Sequence, residues 1–337
     1  MSSFKFAALA ALLLCMMLRG CWAQLSPTFY DQSCPNLTAI VRDAIRQAFQ
    51  GDVRAGAKLI RFHFHDCFVN GCDGSVLLEN QDGVESELDA PGNQGIQGFD
   101  IVDNIKAAVE AACPNTVSCA DILALSSRES VILTGGPSWV VQLGRRDSRN
   151  ANRTGAENNL PSPFETLDQL RVKFNAVGLD STDLVALSGA HTFGRSRCVF
   201  FSGRLSNFSG TGSPDPTLDP TLRDALVIAC PTGDGNNRIA LDVATPDSFD
   251  NAYYTNLVNN RGLLQSDQEL FSTEGAETIA TVNRFAGNQS DFFGQFGQSM
   301  INMGNLQPLL APNGEIRSNC RRVNPLNITT GAATAVM

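Results

Sequence analysis

Two of the chain's three histidines lie in one short segment, Arg61-Phe-His-Phe-His65-Asp66-Cys67. On a helix, Arg61 and His65 stand at i and i+4, one turn apart on one face, while His63 turns away from them. That face offers a fixed cation beside a base that exchanges a proton near neutral pH, with Phe64 alongside. Such a pair suits chemistry in which a bond cleaves and charge separates. The third histidine, His191, stands far downstream in Ser188-Gly-Ala-His191-Thr192-Phe-Gly, directly after an apolar run.

Three readings compete. An imidazole between phenylalanines is ordinarily a packed core residue. His63, His65 and Asp66 are possible zinc ligands for a secreted hydrolase, but the opposed faces of the two histidines argue against it. One histidine beside an arginine, with another alone, is the arrangement expected of a haem pocket with a distal and a proximal side.

Oxygen donors gather beside both histidines. Asp66, Asp73, Ser75 and carbonyls freed by Gly71 and Gly74 fall within ten residues, a density that suits calcium, although the spacing is not that of an EF-hand. Thr192 could be joined by Asp242, Thr245, Ser248 and Asp250 from a distant loop. Either cluster alone is ordinarily a solvated turn; position beside the histidines favours an ion.

The elements that must hold these groups read as helices. Apolar stripes run through Leu37, Ile40, Val41, Ala44, Ile45, Ala48 and Phe49, and through Ile101, Val102, Ile105, Ala108, Val109 and Ala112. Thr166 is placed to cap a helix that stops at Gly178, and Asp121 to Leu133 reads as a buried helix. Asp183 to Ser188 leads straight to His191. Alternating strand patterns are scarce, and the tracts 80–98, 144–163, 206–221 and 231–248 read as long loops. The predicted fold is mostly α-helical, with two halves flanking a cleft.

Residues 1–23 read as a secretory leader: Lys5, an apolar run from Phe6 to Leu18, and small residues before Gln24. The run is short of the roughly 20 residues that a membrane span needs. The formal charge of −9 becomes −11 once Lys5 and Arg19 leave with the leader. An acidic chain is a poor partner for nucleic acid or anionic membranes. Eight cysteines remain, an even number that favours four disulfides in an exported protein, and only Cys67–Cys72 looks locally imposed. Sequons at Asn36, Asn152, Asn207, Asn288 and Asn327 fit a glycoprotein.

Five collinear motifs carry a resemblance: Arg61-Phe-His-Phe-His-Asp-Cys-Phe-Val-Asn-Gly-Cys-Asp73, Val117-Ser-Cys-Ala-Asp-Ile122, Gly144-Arg-Arg-Asp147, Asp183 to Gly194, and Ser266-Asp-Gln-Glu-Leu-Phe271. From Gln24 to about Val323 the chain resembles the secreted plant (class III) haem peroxidases. The resemblance implies a two-lobed helical fold over 24–324, with haem b between distal and proximal lobes and two calcium ions. It implies His65 as acid/base, Arg61 as distal cation, Asn93 orienting His65, His191 as iron ligand and Asp267 as its carboxylate partner. Calcium would be held by Asp66, Val69, Gly71, Asp73 and Ser75, with Glu87 linking that ion to the pocket, and by Thr192, Asp242, Thr245, Ser248 and Asp250.

The implied disulfides are Cys34–Cys113, Cys67–Cys72, Cys119–Cys320 and Cys198–Cys230, and Gln24 is the implied pyroglutamate. Pro161 marks the exposed haem edge, where small phenolic donors would be oxidised as hydrogen peroxide is reduced. Gly92 implies a more open donor pocket, Leu241 replaces a proximal aromatic of some members, and Arg197 is placed for a donor carboxylate or a haem propionate. A monomer is expected, in a role such as cell-wall lignification, suberisation or defence. The tail 325–337 resembles propeptide extensions associated with vacuolar delivery, so cell wall and vacuole both stay open. A non-catalytic calcium-binding scaffold would be expected to have lost one of the five key residues, and all five are present.

Overall fold

The computed structural model describes residues 24–81, 83–231 and 235–325. The leader, the sequon at Asn327 and the tail from 326 lie outside them. The first lobe holds α1 (Leu37–Gly51), α2 (Ala55–Asn70), α3 (Phe99–Ala112) and α4 (Cys119–Leu133). After α5 (Arg153–Asn159), the second lobe begins with α6 (Leu167–Ala176) and α7 (Ser181–Ser188). It continues through β1 (Arg195–Arg197), α8 (Ser202–Ser206), α9 (Pro220–Ala229), β2 (Arg238–Ala240), α10 (Ala252–Val258), α11 (Gln265–Ser272), α12 (Thr278–Gly287) and α13 (Gln289–Gly304). The two strands form an antiparallel pair with Ser196 opposite Ile239.

Burial explains the patterning. Helices α1 and α3 bury one stripe each, so their apolar residues keep a helical period. Helices α2 and α4 pack on each other and are covered on most sides, which is why neither shows a clean stripe. Helix α13 touches both α7 and α2, joining the lobes. In the second lobe, Phe249, Phe292, Phe296, Tyr254 and Phe285 form a continuous aromatic cluster. Each buried ring is worth roughly 1.5–3 kcal/mol of transfer energy, so this cluster anchors the lobe.

Capping sets several boundaries. Ser118 Oγ accepts from the Asp121 amide at 3.1 Å, and the Asp147 carboxylate accepts the Cys119 and Ala120 amides at 3.0 Å each. Helix α4 therefore starts two residues before the predicted Asp121, with an anion on its positive end. The tract 144–163 also departs from the loop reading. Asn152 Oδ1 accepts the Gly155 amide at 2.8 Å and nucleates α5 there. Strand β2 likewise interrupts the tract 231–248.

The four disulfides pair Cys34 with Cys113, Cys67 with Cys72, Cys119 with Cys320 and Cys198 with Cys230. Helix α2 ends at Gly71, whose φ of 91° belongs to the left-handed region. A Cβ there would run into the carbonyl oxygens of Leu306 and Gln307, so glycine is required by close approach as well as by backbone shape. The Cys72 amide donates to Leu306 O at 3.3 Å.

His63 belongs to this framework. It is buried, with Nδ1 3.6 Å from Cys67 Sγ, and the two sulfurs nearest it are joined to each other. Those spent sulfurs make His63, Cys67 and Cys72 no metal site. Burial, aided by Arg145, pushes the His63 pKa down to about 3. The unfolded chain, with an ordinary histidine, therefore binds one more proton between about pH 6.5 and 3. Stability from this source is intact above that window and falls as pH drops through it, by up to about 1.4 kcal/mol per pH unit. His63→Gln should flatten the acid limb of a denaturation series by an amount approaching that slope. An acid limb unchanged in slope would show that His63 takes up no proton on unfolding.

Candidate active site

On α2 the predicted pair is in contact. Arg61 Nε donates to His65 Nε2 at 3.1 Å, and a second guanidinium nitrogen donates to Gly92 O at 3.2 Å. His65 Nδ1 lies 2.5 Å from Asn93 Oδ1. The Asn93 amide nitrogen donates to Glu87 O at 2.8 Å, which fixes the amide with its oxygen toward the imidazole. A carboxamide oxygen only accepts, so Nδ1 carries the proton and Nε2 holds the basic lone pair. Burial first, then the Arg61 charge, lowers the His65 pKa to about 3, while Asn93 opposes the shift. The ring is thus a neutral acceptor at ordinary pH. Arg61 is itself pushed down to about 10 by burial, then by Arg238 and Arg197, and remains a cation.

Short turns bring Asn93 to His65. Two 3₁₀ turns, Glu87–Asp89 and Pro91–Asn93, follow each other, the first capped by Ser86 Oγ on the Leu88 amide at 3.1 Å. Gly92 does not open the donor pocket as expected. A Cβ there would sit 3.2 Å from Leu160 Cδ1, so the turn packs directly on the 160–164 loop. Pro161 is half-buried in that loop and Phe164 is 53% exposed. Phe200 faces Phe164 at 6.4 Å, and the Arg197 guanidinium lies 4.8 Å over the Phe200 ring. Leu241 packs with the smaller apolar cluster around Cys198 and donates its amide to Gly194 O at 3.0 Å.

On the other side of the cleft, α7 is capped by Asp180, whose carboxylate accepts the Asp183 amide at 2.8 Å. It runs into a 3₁₀ turn that carries His191. Gly189 permits that turn, because a Cβ would collide with the Tyr254 hydroxyl and the Phe292 ring. His191 Nδ1 donates to Asp267 Oδ1 at 2.7 Å. Its other nitrogen is left open on a side chain 39% exposed. An imidazole with one nitrogen committed to a carboxylate, on a side chain that is partly exposed, suits a metal ligand. The His191 ring also contributes, electrostatically, to the depressed pKa of His65, as expected of groups that share a cleft.

Both oxygen clusters assemble. Asp66 and Glu87 are fully buried and Asp73 is 5% exposed. Asp66 Oδ2 accepts the Gly74 amide at 2.9 Å, but Asp66 Oδ1 and Glu87 Oε2 are buried without partners. Burial, then the neighbouring Asp73, holds the Asp66 carboxyl well above its usual range; burial likewise raises Asp73, and raises Glu87 to about 7. Orphaned buried carboxylate oxygens beside one another are a donor set that fits a cation. Buried Ser75 adds a hydroxyl. Val69 O accepts from Asn159 Nδ2 at 3.4 Å, and Gly71 closes the turn.

Near His191, Thr192 Oγ1 lies 3.3 Å from Asp242 and 3.2 Å from Asp250, and Thr245 Oγ1 lies 3.0 Å from Asp250. Ser248 joins only through its amide, which donates to Thr245 O at 3.1 Å.

The zinc triad of the alternative reading does not form. His63 packs at Cys67 and His65 turns to Asn93 and Arg61, away from it. Among the sequons, Asn36, Asn207 and Asn288 are exposed, and Asn288 caps α13 through the Ser290 and Asp291 amides. Asn152 uses its oxygen as the α5 cap and donates its amide nitrogen to Asn70 Oδ1 at 2.7 Å.

Two participants were not visible in the sequence. Asn256 Nδ2 donates to Asp242 Oδ1 at 2.8 Å, and the Tyr253 hydroxyl donates to Asp267 Oδ1 at 3.1 Å. Both lie on α10, whose residues show no motif. Only a tyrosine too buried to leave its hydroxyl unpaired would have flagged the second.

Residues 41–288 match the family model described as peroxidase. The chain is 62% identical over 305 residues to peroxidase 15 of Ipomoea batatas, covering 90% of this chain and 93% of that one. It is 57% identical over 326 residues to the lignin-forming anionic peroxidase of Nicotiana tabacum, covering 96% and 100%. Peroxidase C2 of Armoracia rusticana is 50% identical over 327 residues, covering 96% and 94%. With a helical fold, four disulfides and relatives aligned nearly end to end, the chain belongs to the peroxidase family, as a plant class III member, and is an enzyme.

Proposed function

We propose that this peroxidase holds haem b in the cleft between His65 and His191, reduces hydrogen peroxide to water, and oxidises small phenolic donors by one-electron steps. Haem, when bound, supplies the redox chemistry. The carrying observation is the chain His65 Nδ1–Asn93–Glu87 O, which leaves Nε2 basic and under the Arg61 guanidinium. Nε2 takes the proton of incoming peroxide and returns it to the outer oxygen, so that water leaves. Arg61 stabilises the negative charge that develops as the O–O bond lengthens. His191 would hold the haem iron through its open nitrogen, and Asp267 would strengthen that donation by drawing on the Nδ1 proton.

Phenolic donors meet the edge formed by Pro161, Phe164 and Phe200. Arg197, stacked on Phe200, favours those bearing a carboxylate. The likeness to a relative named lignin-forming and anionic, together with this chain's own acidic balance, supports lignin-type phenols as donors. Two calcium ions occupy the clusters at Asp66, Val69, Gly71, Asp73 and Ser75, with Glu87 beside them, and at Thr192, Asp242, Thr245, Ser248 and Asp250. The enzyme acts as a secreted monomer made of residues 24–324, freed of leader and tail, without nucleic-acid or membrane partners. No helix among the described residues is long and apolar enough to cross a membrane.

His65→Ala should slow the reaction with peroxide by at least the roughly 10²–10⁴-fold that general acid–base help supplies, while the Soret band persists. Stopped-flow at low peroxide checks it, and a near wild-type rate would remove His65 from the proposed role.

Calcium removal gives a second test. Asp66 follows His65 directly, so loss of the ion frees repelling carboxylates at the end of the catalytic helix. Chelation under mild denaturant should lower turnover before the disulfide-linked fold is lost, and calcium add-back should restore it. Full activity after verified loss of calcium would assign the clusters a purely passive role.

A further inference from the structure

We propose that Tyr253 is a positioning residue that moderates the strength of the iron ligand, by sharing the carboxylate oxygen that receives the His191 proton. The inference rests on His191 being that ligand. Asp267 Oδ1 accepts from His191 Nδ1 at 2.7 Å and from the Tyr253 hydroxyl at 3.1 Å, while Oδ2 accepts the Leu264 amide at 3.1 Å. Both Asp267 and Tyr253 are 2% exposed, so water does not compete for these bonds. The Tyr253 ring stands edge-on to the imidazole, with centroids 6.3 Å apart and planes at 81°, and so cannot replace it on the carboxylate.

A carboxylate oxygen has two lone pairs, and here both are spoken for. Each donor withdraws electron density from Oδ1 and weakens its hold on the other, an effect enlarged in a dry interior. Tyr253 therefore limits how far Asp267 pulls the Nδ1 proton, and so how strongly the opposite nitrogen donates to iron. The neighbouring Tyr254 is engaged elsewhere, donating to Val185 O at 2.9 Å. The phenol of Tyr253 also meets Ser188, three residues before His191, which ties the same hydroxyl to the end of α7.

The test uses haem-loaded protein and reads the ferric/ferrous potential and the iron–histidine stretch of the ferrous form. Tyr253→Phe keeps the ring and deletes one donor. The potential should fall, by roughly threefold in the ferric/ferrous equilibrium as befits one neutral hydrogen bond acting at second hand, and the stretch should rise. Asp267→Asn should move both the other way. In the Asp267→Asn background, Tyr253→Phe should have little further effect.

Equal shifts with and without the carboxylate, or no shift from Tyr253→Phe while Asp267→Asn moves both readouts, would overturn the proposal. If Asp267→Asn also moves neither, the His191 assignment itself fails, which is a different outcome. Should Tyr253→Phe not retain haem, uniform 3-fluorotyrosine labelling provides a variant of nearly unchanged shape. Only Tyr30, Tyr253 and Tyr254 are present, and a more acidic phenol at position 253 should raise the potential. An unchanged or lower potential would count against the proposal.

Discussion

The setting of the buried His65 imidazole depends on one short hydrogen bond, from His65 Nδ1 to Asn93 Oδ1. It fixes which nitrogen is basic, and it is only as good as the orientation of the asparagine. That orientation comes from the Glu87 carbonyl, and the Glu87 carboxylate in turn takes the Asn152 amide at 3.0 Å. The His65 imidazole is therefore held by a relay of backbone and side-chain bonds that leads from it toward the oxygen-rich turn after α2. His65, Asn93 and Glu87 are all buried, so the inner part of the relay has few alternative partners in water.

The two imidazoles sit in opposite environments. His65 is kept uncharged by burial beside a guanidinium. His191 is held by a buried carboxylate at 2.7 Å. Each arrangement places charge in a low-dielectric interior, which is costly unless every atom is paired. On the proximal side Asp267 is fully engaged by three donors. Near His65, Asp66 and Glu87 retain unpaired oxygens, an imbalance that a bound cation would relieve.

Much of this was legible in the sequence because the signals were local. Arg61 and His65 share a face by helix periodicity alone, and the lead into α6 is written in Thr166. Asp66, Asp73 and Ser75 could be named because they follow His65 closely, whereas Asp242 to Asp250 lie on a loop distant from His191 in sequence. What could not be read was long-range or buried on all sides. Helices α10 and α11 span only seven and eight residues, too short to display a period in the sequence. Tyr253 reaches Asp267 only because α10 and α11 pack together. Gly92 looked like added space, but close packing on Leu160 gives it the contrary meaning.

Gly71 bears on how the chain can be assembled. The carbonyls of Leu306 and Gln307 press against it, and Cys119 of the first lobe is tied to Cys320. The Arg317 amide donates to Asp147 at 2.9 Å, and its side chain reaches Gly74 O. The end of α2 is thus closed by residues more than two hundred positions downstream. A chain emerging N-terminus first has α2 long before it has the segment that packs against that helix's end. The first lobe is early in sequence, yet its contacts are complete only once residues 306–320 have joined it.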